Sequence, residues 1–143
     1  KLNISWSDLG SWKEILLMFN RNKMKYYKKR NTHYRPWGQY TNLFKGNNFL
    51  IKEIFVKSNG SLSLQKHFHR SEHWVITKGM PKITLNKKFF LKKKNESIFI
   101  PKGAIHRIQN PFKQTVKIME VQLGSILRES DIVRLQDIYG RAN

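Results

Sequence analysis

Two short segments of this chain contain side chains that could bind a divalent cation. The first, SLQKHFHRSEHWVITKG (63–79), carries Gln65, His67 and Glu72, and the second, PKGAIHRIQN (101–110), carries His106. Amide, imidazole and carboxylate ligands suit a catalytic cation better than a purely structural one. We therefore predict a metal centre formed by Gln65, His67, Glu72 and His106. The alternative is a cluster of buried polar side chains that hydrogen-bond to one another and bind no ion.

The first segment has the alternation of one β-strand followed by another. Over residues 62–69 one face is mostly apolar, whereas the other face comprises Ser63, Gln65, His67 and His69. A short corner at residues 70–71 leads into a run that places Glu72, Trp74 and Ile76 on one face and turns His73 away. This pattern predicts that Glu72 returns to the cavity opposite His67.

A turn in the second segment delivers the last candidate ligand. Residues 97–101 alternate as a strand, and Pro101 and Gly103 form a turn after it. Two short strands joined by this turn can bring His106 into the cavity of the first segment.

The rest of the chain must build the cavity. From residue 35 onward, short apolar runs are broken by Gly, Asn or Pro at intervals of roughly ten residues, which favours a β-sandwich or β-barrel. Residues 11–24 are predicted to form an amphipathic helix with Ser11 as N-cap and Glu14 as its capping-box partner. Residues 25–34 are predicted to be a basic linker. Residues 129–139 are predicted to form a closing helix, because Ile132, Val133 and Leu135 are apolar among polar neighbours.

Length and composition limit the class of protein. A chain of 143 residues is about one domain, and 39% apolar residues are enough for a core. The absence of cysteine excludes disulfides and thiolate metal sites, which fits a cytoplasmic protein. No apolar run approaches the ~20 residues of a membrane span and no signal peptide is visible, so no membrane partner is expected. The chain starts at Lys1 and not at methionine, from which we expect that the natural chain begins earlier.

The net charge of +19, from 28 basic and 9 acidic residues, would ordinarily indicate a nucleic-acid partner. The stretches KMKYYKKR and KKFFLKKK interleave aromatic and basic residues as single-strand binders do. Surface charge runs are usually only solvated, however, and this chain is also rich in Asn and Ile. We therefore do not expect nucleic acid as the partner, although a basic surface would steer a phosphorylated sugar.

The two segments resemble the two cupin motifs. The second, PKGAIHRIQN, matches closely, and the first matches if Gln65 takes the place of the first histidine. Asn59 and Asn95 then stand where the leading glycines of the motifs usually stand, and asparagine is the next best residue for a positive φ. The resemblance implies an all-β cupin, a double-stranded β-helix or jelly-roll barrel, preceded here by the N-terminal helix.

More narrowly, the chain resembles the type II phosphomannose isomerase domain, the C-terminal module of bifunctional mannose-1-phosphate guanylyltransferase/mannose-6-phosphate isomerases. The matching stretches are RPWGQY, LSLQKHFHRSEHW, IPKGAIHRIQNP, MEVQLG and ESDIVRLQDIYGR, and WSDLGSW resembles the end of the guanylyltransferase domain. This implies residues 1–34 as the tail of that domain and residues 35–143 as the isomerase domain. No glycine-rich nucleotide loop is present, so no nucleotidyltransferase activity is expected of this chain.

The resemblance implies a metal-dependent isomerase that interconverts mannose 6-phosphate and fructose 6-phosphate and feeds GDP-mannose and surface polysaccharide synthesis. It also implies one divalent ion, with zinc as the first choice and manganese, iron, cobalt or nickel as alternatives. The expected partners are a sugar phosphate, a second copy of the chain in a homodimer and a guanylyltransferase domain or subunit. The alternative is a non-catalytic or regulatory cupin that binds a sugar phosphate beside a guanylyltransferase. Ile126 and Arg128, which depart from the family pattern, bear on that alternative.

Five further residues are candidates for roles around the metal. Glu120 is a candidate general base, or else a partner of a ligating histidine. Arg134 is a candidate for catalytic or phosphate contact, or else a helix-surface ion-pair partner of a nearby aspartate. His69 is a candidate ligand or acid–base group, or else a hydrogen-bonded core histidine. Arg107 and Gln122 are the predicted substrate-binding residues.

Overall fold

Eleven strands build the part of the chain that the structure, a computed structural model, describes, namely residues 26–141. In chain order they are β1 (Tyr26–Arg35), β2 (Gly38–Lys45), β3 (Phe49–Val56), β4 (Leu64–His67), β5 (Arg70–Lys78), β6 (Lys82–Leu85), β7 (Lys88–Leu91), β8 (Ser97–Ile100), β9 (His106–Gln109), β10 (Val116–Gly124) and β11 (Ile132–Gln136).

The strands form two antiparallel sheets. The large sheet has the order β1-β2-β3-β10-β5-β8, and the small sheet has the order β11-β4-β9-β6-β7. Strands β4 and β5 are consecutive in sequence but belong to different sheets, so the corner between them turns the chain from one sheet to the other. This all-β sandwich confirms the predicted fold class.

Inward-facing positions change character along the central strands. On β10, Val116 and Ile118 are fully buried in the core, whereas Glu120 and Gln122 on the same face are buried polar residues. Strand β5 shows the same change, since Ile76 and Trp74 are followed towards the N-terminus by buried Glu72 and Arg70. One end of the interior is therefore an apolar core, and the other end is a polar cavity.

Asparagine takes the left-handed backbone conformation at the two positions where the cupin motifs usually have glycine. Asn59 has φ 57° and Asn95 has φ 72°, as the resemblance predicted. Gly79, which directly follows β5, has φ 78°, and a Cβ atom there would lie 2.7 Å from the carbonyl oxygen of Thr115. This turn therefore requires glycine both for its conformation and for the space around it.

Three predictions about chain segments need correction. Residues 26–34, predicted as linker, lie in β1, which pairs with β2. The closing helix is wrong: Glu129–Asp131 is a single 3₁₀ turn, and Ile132–Gln136 is strand β11, which pairs with β4. The corner lies at residues 68–69, and not at 70–71, because Arg70 is already the first residue of β5. The predicted helix at 11–24 lies outside the described residues. The predicted domain boundary between residues 34 and 35 falls within β1 and stays a prediction.

Within the described part of the chain, no helix has the length and apolar character that crossing a membrane requires.

Candidate metal centre and cavity

Three predicted ligands meet at the polar end of the interior, each from a different strand. His67 ends β4, Glu72 lies near the start of β5, and His106 begins β9. The Nε2 atoms of the two imidazoles are 3.1 Å apart, and His67 Nε2 is 3.1 Å from Glu72 Oε1. His106 Nε2 is 3.8 Å from Glu72 Oε2. All three residues are at most 2% exposed, so these ligand atoms form one buried cluster.

The spacing of these atoms suits a single small cation. Ligands at about 2.1 Å from a divalent ion are separated by about 3.0 Å in octahedral and about 3.4 Å in tetrahedral geometry. The two imidazole nitrogens are 3.1 Å apart, and one ligand atom from each of the three residues lies within 4.8 Å of the other two. His67, Glu72 and His106 therefore form a candidate metal site.

His106 is held in the state that binds metal. Its Nδ1–H donates to the carbonyl of Ala104 at 2.9 Å, which leaves the lone pair on Nε2 directed towards His67 and Glu72. Burial lowers the pKa of His106 to about 4, although the charge of Glu72 opposes this shift. The imidazole is therefore neutral at physiological pH.

Gln65 completes the predicted set on the neighbouring strand. It lies directly opposite His106 in the pairing of β4 with β9, so both side chains face inward. Its Oε1 accepts a hydrogen bond from Ser63 Oγ at 2.8 Å, and the residue lines the cavity. Its role as a fourth ligand stays a prediction.

Glu72 is held in its charged form by hydrogen bonds to both carboxylate oxygens. Arg70 Nε and Gln122 Nε2 each donate to Oε1 at 3.1 Å, and Trp74 Nε1 donates to Oε2 at 3.1 Å. Burial by itself would raise the pKa of Glu72, but the hydrogen bond and charge of His67, followed by the charges of His106 and Arg70, lower it well below its usual value. Glu72 can therefore supply the negative charge of a metal centre.

The pKa of Glu120 is shifted in the opposite direction to that of Glu72. Trp74 Nε1 donates to its Oε1 at 3.1 Å and Gln122 Nε2 to its Oε2 at 2.9 Å. Burial, and then the neighbouring charge of Glu72, raise the pKa of Glu120 to about 8, although Lys52 lowers it in part. Two carboxyl groups that share one indole N–H thus differ in protonation near neutral pH, which is the usual arrangement for a base and a charged partner.

Gln65, Glu72, Glu120 and Gln122 line a cavity of about 490 Å³ of empty space, part of it open to solvent. His67 and His106 are not among the lining residues, so Glu72 is the residue that connects the candidate metal site to the cavity.

Besides Arg70, which contacts Glu72, four basic residues line the cavity, and we call them the cationic wall: Arg35, Lys52, Arg134 and Arg141. Lys52 Nζ lies 4.6 Å from the centre of the Tyr40 ring and 3.8 Å from Glu129 Oε1. Arg134 Nη2 is 3.5 Å from Glu129 Oε2. Arg141 is paired with the buried carboxylate of Asp137, with Nε donating to Oδ2 at 2.6 Å and Nη2 to Oδ1 at 3.1 Å. Because Glu129 is 44% exposed, it neutralises only part of the charge of Lys52 and Arg134.

The remaining predicted residues fall into two groups. Glu120, Gln122 and Arg134 line the cavity, and Arg134 does so from strand β11, opposite Gln65, rather than from a helix. Arg107 follows His106 on β9 and so faces the other side of the sheet, and it is not among the residues that line this cavity. Its substrate-binding role stays a prediction that this placement does not support.

His69 does not share the inward face, so that expectation is wrong. The corner at residues 68–69 interrupts the alternation of β4, and the His69 side chain is 51% exposed. Its Nδ1 lies 2.6 Å from Asp131 Oδ1. Ile126 and the exposed Arg128 likewise lie outside the set of residues that line this cavity. His73 faces away from Glu72, as the alternation predicted, and packs against Phe99.

Sequence reasoning missed two buried basic residues. Lys52, 8% exposed, occupies an inward position of β3 between Leu50 and Ile54, and this break in an apolar alternation is a signal that could have been read. Arg70, 2% exposed, lies two residues before Glu72 on the same face of β5. It was missed because the corner was expected at that position.

Solved structures place this architecture among the cupins. The capsular polysaccharide assembling protein CapF of Staphylococcus aureus superposes with a TM-score of 0.64 at 14% identity, over 76% of this chain and 33% of that chain. The Cnp3 cupin domain of Schizosaccharomyces pombe superposes with a TM-score of 0.57 at 22% identity, over 60% of this chain and 64% of that chain. At these identities the likeness shows the fold alone, and that fold is a cupin.

Sequence comparison gives the family. A model described as "Mannose-6-phosphate isomerase C-terminal" matches residues 20–137, and the chain belongs to that family. It is 47% identical over 110 residues to the alginate biosynthesis protein AlgA of Pseudomonas syringae pv. tomato, covering 77% of this chain and 23% of that protein. It is 41% identical over 129 residues to a mannose-1-phosphate guanylyltransferase of Klebsiella pneumoniae, covering 90% of this chain and 27% of that protein. The chain therefore spans about a quarter of the length of these relatives.

Proposed function

We propose that this chain is a metal-dependent isomerase domain that interconverts mannose 6-phosphate and fructose 6-phosphate. The observation that carries the proposal is the meeting of His67, Glu72 and His106 beside a cavity with a cationic wall. A sugar phosphate has two parts, a reacting carbonyl end and a dianionic phosphate. The candidate metal site is the proposed partner of the carbonyl end, and the cationic wall is the proposed partner of the phosphate.

His67, Glu72 and His106 would hold the cation, with Gln65 as the fourth ligand. Zinc is the first choice, although the nitrogen and oxygen donors also suit manganese, iron, cobalt or nickel. A bound divalent ion supplies Lewis acidity, which favours negative charge on the oxygens at C1 and C2 of the sugar.

Glu120 is the proposed proton carrier. In the open-chain aldose the ionised carboxylate of Glu120 would take the proton from C2 and leave an enediolate. The same group would return that proton to C1, while the proton of the C2 hydroxyl passes to the C1 oxygen, which gives the ketose. Glu120 lies on the cavity face of β10, in hydrogen-bonding distance of Gln122. The indole N–H of Trp74 fixes the carboxyl orientation, so the proton is held at one place in the cavity.

The cationic wall is the proposed phosphate site. Arg35, Lys52, Arg134 and Arg141 all line the cavity, and guanidinium groups bind phosphate oxygens in pairs. Gln122 would hydrogen-bond to the sugar through the amide oxygen, which has no partner in the described structure. This assignment agrees with the predicted contact of Arg134 with phosphate.

A guanylyltransferase partner is part of the proposal. The matched relatives include proteins named mannose-1-phosphate guanylyltransferase, of which this chain covers about a quarter. We infer that the domain works beside a guanylyltransferase, in the same polypeptide or as a separate subunit, and supplies GDP-mannose synthesis in the cytoplasm. The regulatory cupin is the second candidate, and the same relatives support it. The homodimer stays a prediction.

The test is a coupled assay of fructose 6-phosphate formation from mannose 6-phosphate by the zinc-loaded or manganese-loaded chain. His67→Ala and His106→Ala should each lose at least about a hundredfold in kcat/KM, because each removes a ligand. His73→Ala, which changes a histidine on the outer face of β5, is the matched control and should retain activity. Wild-type rates in both ligand variants would overturn the isomerase assignment. Bound metal and sugar phosphate without turnover would favour the regulatory module.

A further inference from the structure

Arg70 is a buried guanidinium that contacts the candidate metal centre on one side and the C-terminal segment on the other. Its Nε donates to Glu72 Oε1 at 3.1 Å, and its Nη2 lies 3.3 Å from His67 Nε2. Its Nη1 donates to the carbonyl of Arg128 at 3.0 Å and lies 3.7 Å from Asp131 Oδ2. All three nitrogens therefore have protein partners, which favours a role in positioning over direct contact with substrate.

Asp131 extends this contact to the corner between β4 and β5. Its carboxylate is buried, with 6% of the residue exposed. Oδ2 accepts the backbone N–H of His69 at 3.2 Å, and Oδ1 accepts from His69 Nδ1 at 2.6 Å. Asp131, which directly precedes β11, thus contacts both Arg70 and the corner.

The position of β11 matters because this strand carries Arg134. Among the described strands, β11 is at the edge of the small sheet and pairs only with β4, where Arg134 lies opposite Gln65. An edge strand has backbone hydrogen bonds on one side only, so its position depends more on side-chain anchors than that of a central strand. The contact of Arg70 with Asp131 and with the Arg128 carbonyl is such an anchor, buried directly before the strand begins.

We propose that Arg70 is a positioning residue that orients Glu72 and, through Asp131, holds β11 and its Arg134 at a fixed place relative to the metal centre. We call the contacts of Arg70 with Glu72 and with Asp131 the Arg70 bridge. The proposal rests on the proposed function, because it assigns the Glu72 end of this bridge to the metal centre and the Asp131 end to the phosphate site. Arginine is required because a lysine ammonium is a single point of charge, whereas the guanidinium reaches the two ends in one plane.

Replacing Arg70 with lysine tests whether the geometry of the guanidinium is required or only its positive charge. Arg70→Lys keeps the positive charge and loses the bridge, so Zn²⁺ affinity measured by calorimetric titration should fall by about tenfold or more. In the same variant the KM for mannose 6-phosphate should rise and kcat should fall. Arg128→Lys is the matched control, since its side chain is exposed and its carbonyl is unchanged. Wild-type Zn²⁺ affinity in Arg70→Lys would overturn the proposal.

Asp131→Asn tests the other end of the bridge. KM should rise several-fold while Zn²⁺ affinity changes by less than about twofold, because Glu72 keeps its own contact with Arg70. The double variant should raise KM no more than the larger single effect, since both changes remove one contact. Fully additive effects on KM, or an unchanged KM in Asp131→Asn, would overturn the coupling of Arg70 to β11. If Arg70→Lys does not fold, the KM of Asp131→Asn alone decides whether this coupling exists. If the wild type lacks isomerase activity, the proposed function fails, whereas Zn²⁺ affinity and calorimetric binding of mannose 6-phosphate still decide the role of Arg70.

Discussion

Trp74 is the residue whose replacement tests the architecture of the site most directly. Its indole N–H lies 3.1 Å from Glu72 Oε2 and 3.1 Å from Glu120 Oε1, and only 2% of the residue is exposed. Trp74→Phe keeps an aromatic ring in the core and removes one of the two donors that both carboxyl groups share, the other being Gln122 Nε2. The change therefore isolates the polar contribution of the indole from most of its packing.

The expected loss in the free energy of unfolding depends on whether each of the two carboxyl groups is charged or protonated. Glu72 is charged, and a buried hydrogen bond to a charged group contributes about 1.5–3 kcal/mol. Glu120 is mostly protonated at neutral pH, so its share is nearer to about 1 kcal/mol. Sharing one N–H weakens both bonds, while the lost ring volume costs about 1 kcal/mol. We expect the free energy of unfolding to fall by about 3 kcal/mol.

The assay is urea unfolding of the metal-free protein together with Zn²⁺ titration of the folded protein. Zn²⁺ affinity should fall about tenfold, because Glu72 loses the donor that fixes Oε2. Ile76→Val, a fully buried change on the same face of β5, is the control, with an expected loss of about 1 kcal/mol and unchanged affinity. The reasoning is refuted if Trp74→Phe is no more destabilising than this control and binds Zn²⁺ as the wild type does.

Three further predictions follow from single residues. The pKa of Glu120 is raised, so the folded state binds its proton more tightly, and its contribution to the free energy of unfolding should decline as pH rises from about 4.5 to about 8. Glu120→Gln should abolish this decline, which is up to about 1.4 kcal/mol per pH unit, in urea titrations of the metal-free protein, and a pH profile parallel to wild type would contradict it. Lys52→Met should raise the KM for mannose 6-phosphate about tenfold or more with Zn²⁺ affinity unchanged, and an unchanged KM would exclude Lys52 from the phosphate site. Gly79→Ala should lower the free energy of unfolding by about 1–3 kcal/mol, since φ is 78° and the added Cβ would lie 2.7 Å from the Thr115 oxygen; a thermal midpoint equal to wild type would contradict this.

The sequence predicts the centre of the site well because the ligands lie on strands whose alternation is unambiguous. Glu72, Trp74 and Ile76 face inward at a spacing of two residues, and all three are buried. The turn before His106 can likewise be predicted from the sequence, because Pro101 and Gly103 allow the backbone few other conformations. Local rules suffice where one face of a strand must be buried.

The C-terminal segment shows where local rules fail. Ile132, Val133 and Leu135 satisfy a helical stripe, but in the structure Ile132 and Arg134 face inward from a strand, and Leu135 is 42% exposed. The deciding interaction is the open edge of β4, which is distant in sequence and favours a pairing strand. The inward position of a charged residue such as Arg134 can be explained only once the cavity that it faces is known.

The charges of the cavity connect the overall composition to the proposed function. Its lining includes five basic residues, Arg35, Lys52, Arg70, Arg134 and Arg141, against three carboxyl groups, those of Glu72, Glu120 and Glu129. With Glu120 protonated near neutral pH, the positive surplus increases, and part of it lies below the surface, where salt screens it weakly. The chain's net charge of +19 would by contrast act on a distant anion over only about 10 Å at ordinary ionic strength. Moderate salt should therefore slow the encounter with a sugar phosphate more than it weakens the bound state, which separates a built anion site from general basicity.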